Sequence, residues 1–117
     1  MVDVAMLLKR SPYGHVNAAE VVRHALGAIV NEMSVGLVLV DGGVLLAKKG
    51  QDDEGTGLTG LEASLKDCLD MEIPVYVEEG SLTVQGLAAE DLIAGVKRAD
   101  GEEIARLLKD ARTTIIF

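Results

Sequence analysis

The chain has 117 residues, a length that suits one domain with a single core. Hydrophobic residues make up 49% of it and aromatic ones only 3%, so that core must be aliphatic. The formal net charge is −8 with a pI near 4.6, which argues against nucleic acid or an anionic membrane surface as the main partner, because both need a basic footprint. The only cysteine, Cys68, leaves no intrachain disulfide and suits a reducing cytosol. The first residues lack the basic-then-apolar layout of a signal peptide. No apolar run reaches the roughly 18 residues of a membrane span. A soluble, cytoplasmic protein is therefore expected. No internal repeat or low-complexity tract breaks the chain.

Val2 to Leu8 is too continuously apolar for a half-exposed strand and predicts one covered on both faces, as in parallel sheets. Lys9 and Arg10 end it as a small basic spot, and Lys48-Lys49 form a second. Ser11, Pro12, Tyr13 and Gly14 bring turn chemistry. Asn17 is the expected helix N-cap, with Glu20 as its capping partner. From Ala18 to Met33, Val21, Val22, Ala25, Leu26, Ala28, Ile29 and Met33 share one helical face, with Arg23 and His24 near the other. A second apolar strand, Val35 to Val40, ends at the turn signal Asp41-Gly42-Gly43. Val44 to Lys49 fits either a short helix or a last piece of strand. Gly50 to Gly60, acidic and glycine-rich, predicts a surface loop.

Leu61 to Met71 follows as a helix with Leu61, Leu65, Cys68 and Leu69 on one stripe. Ile73 to Val77 is the third strand, its proline near the start where a missing donor is tolerated. Glu78 to Leu82 begins a loop or short helical turn. Asp91 to Val96 is expected as a fourth strand. Asp100 and Glu103 make a capping box for a last helix with Ile104, Leu107 and Leu108 inside, and Thr113 to Phe117 closes the chain as a strand. This alternation predicts an α/β fold with a mostly parallel five-stranded sheet and helices on both faces. In so short a chain it leaves apolar surface for a partner or a second copy to cover.

The loop after the first strand places Lys9, Arg10, Ser11, Tyr13, Gly14 and His15 at the mouth of a helix, the edge where α/β sheets bind ligands. Arg10 and the loop amides can hold an anion there, and the competing reading is a plain turn with solvated charges. Asp41 is a turn residue first and a ligand contact second. Asp52, Asp53 and Glu54 do not follow the spacing of a calcium loop. His15 and His24, with no third ligand near them, are a weak metal signal. No phosphate-cradling glycine motif follows either early strand, and no cofactor is expected. Cys68 is the one candidate nucleophile, but its place on an apolar stripe between Asp67 and Asp70 disfavours a thiolate.

Several stretches together resemble the DsrE/DsrF family of small sulfur-relay proteins, and within it the DsrF/TusC branch. They are Arg10-Ser11-Pro12-Tyr13-Gly14, the Ala-rich helix behind it, Leu39-Val40-Asp41-Gly42-Gly43-Val44, Lys49-Gly50-Gln51, and Ile73-Pro74-Val75-Tyr76-Val77-Glu78. Ser81-Leu82, Gly86-Leu87 and a closing strand ending in phenylalanine complete the set. The resemblance implies a three-layer α/β/α subunit that assembles with copies of itself or with related subunits, next to a cysteine-bearing sulfur carrier. It also implies that sulfur-carrying members hold a persulfide on a cysteine just after the third strand. Here Tyr76, Val77, Glu78 and Glu79 stand at that place. The reading that follows is a non-catalytic DsrF/TusC-like subunit, with Arg10, Tyr13 and the loop carrying Glu78 and Ser81 as partner or ligand contacts. Two rivals are a sulfurtransferase that uses Cys68 and an oligomeric module that binds a small anion at the Lys9 to His15 loop.

Overall fold

The computed structural model describes residues 2–13, 15–50 and 61–117. Gly14 and the expected loop from Gln51 to Gly60 lie outside the described residues. In chain order the elements are β1 (Val4–Leu8), α1 (Asn17–Val30), β2 (Val35–Leu39), a 3-10 helix (Asp41–Ala47), α2 (Leu61–Asp70), β3 (Val75–Glu78), α3 (Glu79–Val84), a short 3-10 turn (Ala89–Asp91), β4 (Lys97–Ala99), α4 (Gly101–Asp110) and β5 (Thr113–Ile116).

The strands form one sheet in the order β4-β3-β2-β1-β5, and every pairing is parallel. The continuous apolar runs explain this. All five residues of β2 are buried, as are four of the five in β1, which only a sheet covered on both faces allows. On one face, Val4, Met6, Leu8, Val35, Leu37, Leu39, Val75 and Val77 meet α1, the 3-10 helix, α2 and Leu82 of α3 in the main core. On the other, α4 packs Ile104 and Leu108 against Val38, Tyr76 and Ala99. The expected three layers are present, with the second face covered by one helix.

The helix ends repeat one solution. After α1 the chain turns at Glu32 (φ 61°), and Met33 N donates to Ala28 O at 3.0 Å. After α2 it turns at Glu72 (φ 64°), and Ile73 N donates to Cys68 O at 3.0 Å. In each case a left-handed residue closes the helix into the next strand, a place that glycine usually takes. Met33 is thereby the first residue beyond the turn rather than the last of the helix.

Three expectations change. Asn17 is the first helical residue and not the N-cap: Val16 holds the cap position without a side-chain bond, and Glu20 pairs with Arg23 at 2.8 Å. The third strand starts at Val75, because Ile73 and Pro74 form the entry to it, with Pro74 O accepting from Leu37 N. The fourth strand is Lys97–Ala99 and not Asp91 to Val96. Leu92 and Ile93 are buried, but they plug the core beside the 3-10 helix, where Ile93 N donates to Ala47 O at 2.8 Å. Gly95 (φ 105°) then turns the chain into the sheet. The segment Val44 to Lys49 resolves as helix up to Ala47. The Asp100–Glu103 capping box forms as expected.

One contact fixes how the 3-10 helix sits. A Cβ at Gly43 would lie 2.2 Å from Leu8 O, so only glycine lets the turn close onto the end of β1. Gly43→Ala is expected to lower stability by about 3 kcal/mol, read as a lower urea midpoint at unchanged slope. Gly27→Ala, mid-helix with nothing within 4 Å of the added atom, is expected to raise stability by roughly 0.5–1 kcal/mol in the same titration.

Candidate functional site

The carboxyl ends of β1, β2 and β3 lie side by side, and their loops are joined by hydrogen bonds. Val40 N donates to Leu8 O at 3.0 Å, and Gly43 N donates to Lys9 O at 3.1 Å, which ties the β1 loop to the turn after β2. Tyr13 N donates to Ser11 Oγ at 3.1 Å and shapes the first loop. Asp41, in the left-handed region (φ 51°), points its N–H at Ser81 Oγ, 2.8 Å away on α3. That hydroxyl in turn donates to Glu78 Oε1 at 2.5 Å, the short distance of a bond to a carboxylate. Ser81 is the one buried polar residue among the described residues, and its hydroxyl is engaged as both acceptor and donor.

Topology marks the same place. The chain steps from β1 to β4 in one direction across the sheet, and α4 then carries it back to β5. The connections after β3 and β4 therefore leave toward opposite faces, which makes the end of β3 a usual place for a site in such sheets. Glu78 sits at the end of β3 and pairs in register with Ala99 of β4, just before the Asp100 cap. A groove of about 200 Å³ opens on the other side of the β3 end, between α3 and the turn after β2, lined by Asp41, Glu78, Gly80, Ser81, Val84 and Gln85. Its floor is polar and acidic. Its rim carries Val84, which is 82% exposed.

Of the residues singled out in the sequence, the structure brings Asp41, Glu78 and Ser81 together in this groove. Lys9, Arg10, Ser11, Tyr13 and His15 lie at the same sheet edge on the β1 loop but do not line it. Lys9, Arg10 and His15 are exposed and Tyr13 is half-exposed. Gly14 falls outside the described residues. Among the described residues, no cluster of three histidine, cysteine or acidic side chains is arranged to hold a metal ion. His24 is instead bonded through Nδ1 to Glu20 O at 2.7 Å and stacks at a tilt on Phe117. Val84 and Gln85 were not singled out. The signal that points to them is the Glu78-x-x-Ser81 spacing, which starts a helix and turns its next exposed positions toward Asp41.

Cys68 lies on the inner stripe of α2, fully buried with Leu65 in the main core. Burial pushes its thiol up to about 11, and the Asp67 carboxylate adds to that. Iodoacetamide at neutral pH is expected to leave the native chain unmodified and to label Cys68 only after unfolding. The folded state holds this proton more tightly than the unfolded one, so the associated stability is present below pH 9 and is lost as pH rises toward 11. Denaturant titrations across that range are expected to show a loss in the native chain that Cys68→Val lacks. Ser81→Ala strands the Asp41 N–H and removes a donor from Glu78. It is expected to lower stability by about 1–3 kcal/mol.

Comparison with known proteins places the fold and the family. The model of the DsrE/DsrF-like family matches residues 3–117. An uncharacterized protein of Methanopyrus kandleri is 30% identical over 97% of this chain and 93% of its own length. The intracellular sulfur oxidation protein DsrF of Allochromatium vinosum is 30% identical over 88 residues, 74% of this chain and 65% of that protein. Among solved structures, the ychN protein of E. coli superposes with a TM-score of 0.90 at 20% identity over the whole of both chains. A protein of unknown function from Methanobacterium thermoautotrophicum follows at 0.73 and 13% identity, over 97% of each chain. The chain belongs to the DsrE/DsrF-like family.

Proposed function

We propose, with membership of the DsrE/DsrF-like family as the premise, that this chain is a DsrF-like, non-catalytic subunit of an oligomeric sulfur-relay assembly. The observation that carries the reading is what stands at the end of β3. The family resemblance implies a persulfide cysteine there in sulfur-carrying members, and here Glu78 and Glu79 occupy the place, with Glu78 held by Ser81. A carboxylate cannot form a persulfide, and neither oxygen nor nitrogen on this groove can replace a thiolate in sulfane transfer. The remaining thiol, Cys68, is buried and its ionisation is suppressed, which weighs against the sulfurtransferase reading.

The role left for the groove is to shape a docking surface for a cysteine-bearing partner. Exposed Val84 and half-exposed Tyr13 offer apolar contacts beside the acidic floor, and Arg10 on the β1 loop offers a charged one. The acidic lining does not favour a small anion in the groove itself.

The test uses a cysteine-bearing subunit of the same family, loaded with sulfane sulfur, and a thiol acceptor. The expected result is that adding this chain changes the transfer rate several-fold, and that Val84→Glu or Glu78→Lys abolishes the change. No effect of the native chain on transfer, with no complex detected between the two proteins, overturns the proposal.

A further inference from the structure

The two hydroxyls of α3 behave differently. Thr83 Oγ1 donates back to Glu79 O at 3.3 Å, the ordinary bond of a hydroxyl within a helix. Ser81 is buried, and its oxygen accepts the Asp41 N–H from outside the helix. A hydroxyl has one proton, and an incoming donor decides which way it turns. Here it turns to Glu78 Oε1. The turn that supplies the donor is itself held, with Gly43 N on Lys9 O and Val40 N on Leu8 O. One chain of bonds thus runs from the end of β1, through the turn after β2, to the carboxylate at the end of β3.

That chain fixes a half-buried side chain that water alone would leave free to rotate. Oε1 of Glu78 is taken by Ser81, whereas Oε2 has no hydrogen-bond or ion-pair partner among the described residues. Gly80 lies between the two residues in sequence and lines the same groove, and its missing side chain leaves the carboxylate uncovered. The charged residues lining the groove are Asp41 and Glu78, and no lysine or arginine among the described residues pairs with either. The group that complements this floor is a cation, and exposed Val84 on the rim suits an apolar neighbour beside it.

We propose that Ser81 is the positioning residue of the groove: it holds Glu78 so that Oε2 receives a cationic side chain, a lysine or an arginine, of the cysteine-bearing partner. This role rests on the docking reading and names the chemistry of its contact. Ser81 lies beneath the surface and acts through Glu78. A carboxylate already ordered by its own chain loses less freedom when the partner arrives. Once paired, it also no longer opposes a thiolate that the same partner brings close.

A double-mutant cycle on the affinity for the sulfane-loaded, cysteine-bearing subunit of the same family tests the role. Glu78→Gln keeps an oxygen for the Ser81 hydroxyl and removes the charge. It is expected to weaken the complex about tenfold and to flatten its dependence on salt. Ser81→Ala keeps the charge and releases the side chain. It is expected to weaken the complex several-fold while the salt dependence stays. In the Glu78→Gln background, Ser81→Ala is expected to cost at most about twofold more, because the group it acts through is already changed. No complex with the native chain overturns the docking reading and this role together. A complex that Glu78→Gln leaves as tight and as salt-dependent as the native one overturns the role alone. So does a loss on Ser81→Ala that is equal in both backgrounds, which marks Ser81 as purely structural.

Discussion

The approach of the Gly43 backbone to the last carbonyl of β1 is the constraint on which the carboxyl edge of this sheet depends. Because no Cβ fits between Gly43 and Leu8 O, the 3-10 helix closes directly onto the strand end and carries Asp41 into the left-handed region. That conformation aims the Asp41 N–H at α3. Ser81 answers it, and Glu78 answers Ser81. A buried hydroxyl with both of its roles taken is a strong organiser, since each group in the chain leaves another unsatisfied when it is removed. The groove is thus a product of backbone geometry as much as of side-chain choice.

Under the proposed reading, the site is a preorganised acidic surface that docks a partner. The fold places the end of β3 at the point where connections part to opposite faces, the usual location for chemistry in such sheets. What stands there can accept hydrogen bonds and repel anions, but it offers no thiolate. The one sulfur atom of the cysteine class is in the aliphatic core, where it packs as a small hydrophobe. Family membership supports a sulfur-relay-related role, and the proposal assigns this chain assistance within it.

Much of the architecture was legible because the apolar runs were unambiguous. Val2 to Leu8 and Val35 to Val40 leave no polar face, and that alone implies a parallel sheet with covered faces. The Asp100–Glu103 box announced α4. The failures have a common cause, which is that tertiary packing overrode local pattern. Leu92 and Ile93 looked like strand because they are apolar, but they fill the core beside the 3-10 helix. The true β4 carries Lys97 and Arg98, the composition of an edge strand, and hides from any search for apolar runs. Asn17 had the chemistry of a cap, but the first helical turn began one residue earlier in role. At the site, Asp41, Glu78 and Ser81 were each named in the sequence. Their union through one hydroxyl depends on the strand order, which no local pattern reveals.

The central claim is that this chain does not itself carry sulfur. Intact mass after incubation of the folded protein with a persulfide donor tests it most directly. The account predicts no gain in the native chain, with the thiol of Cys68 taking up sulfur only once the fold is disrupted. A gain of about 32 Da on the folded protein that disappears in Cys68→Ser would contradict it and make Cys68 a carrier.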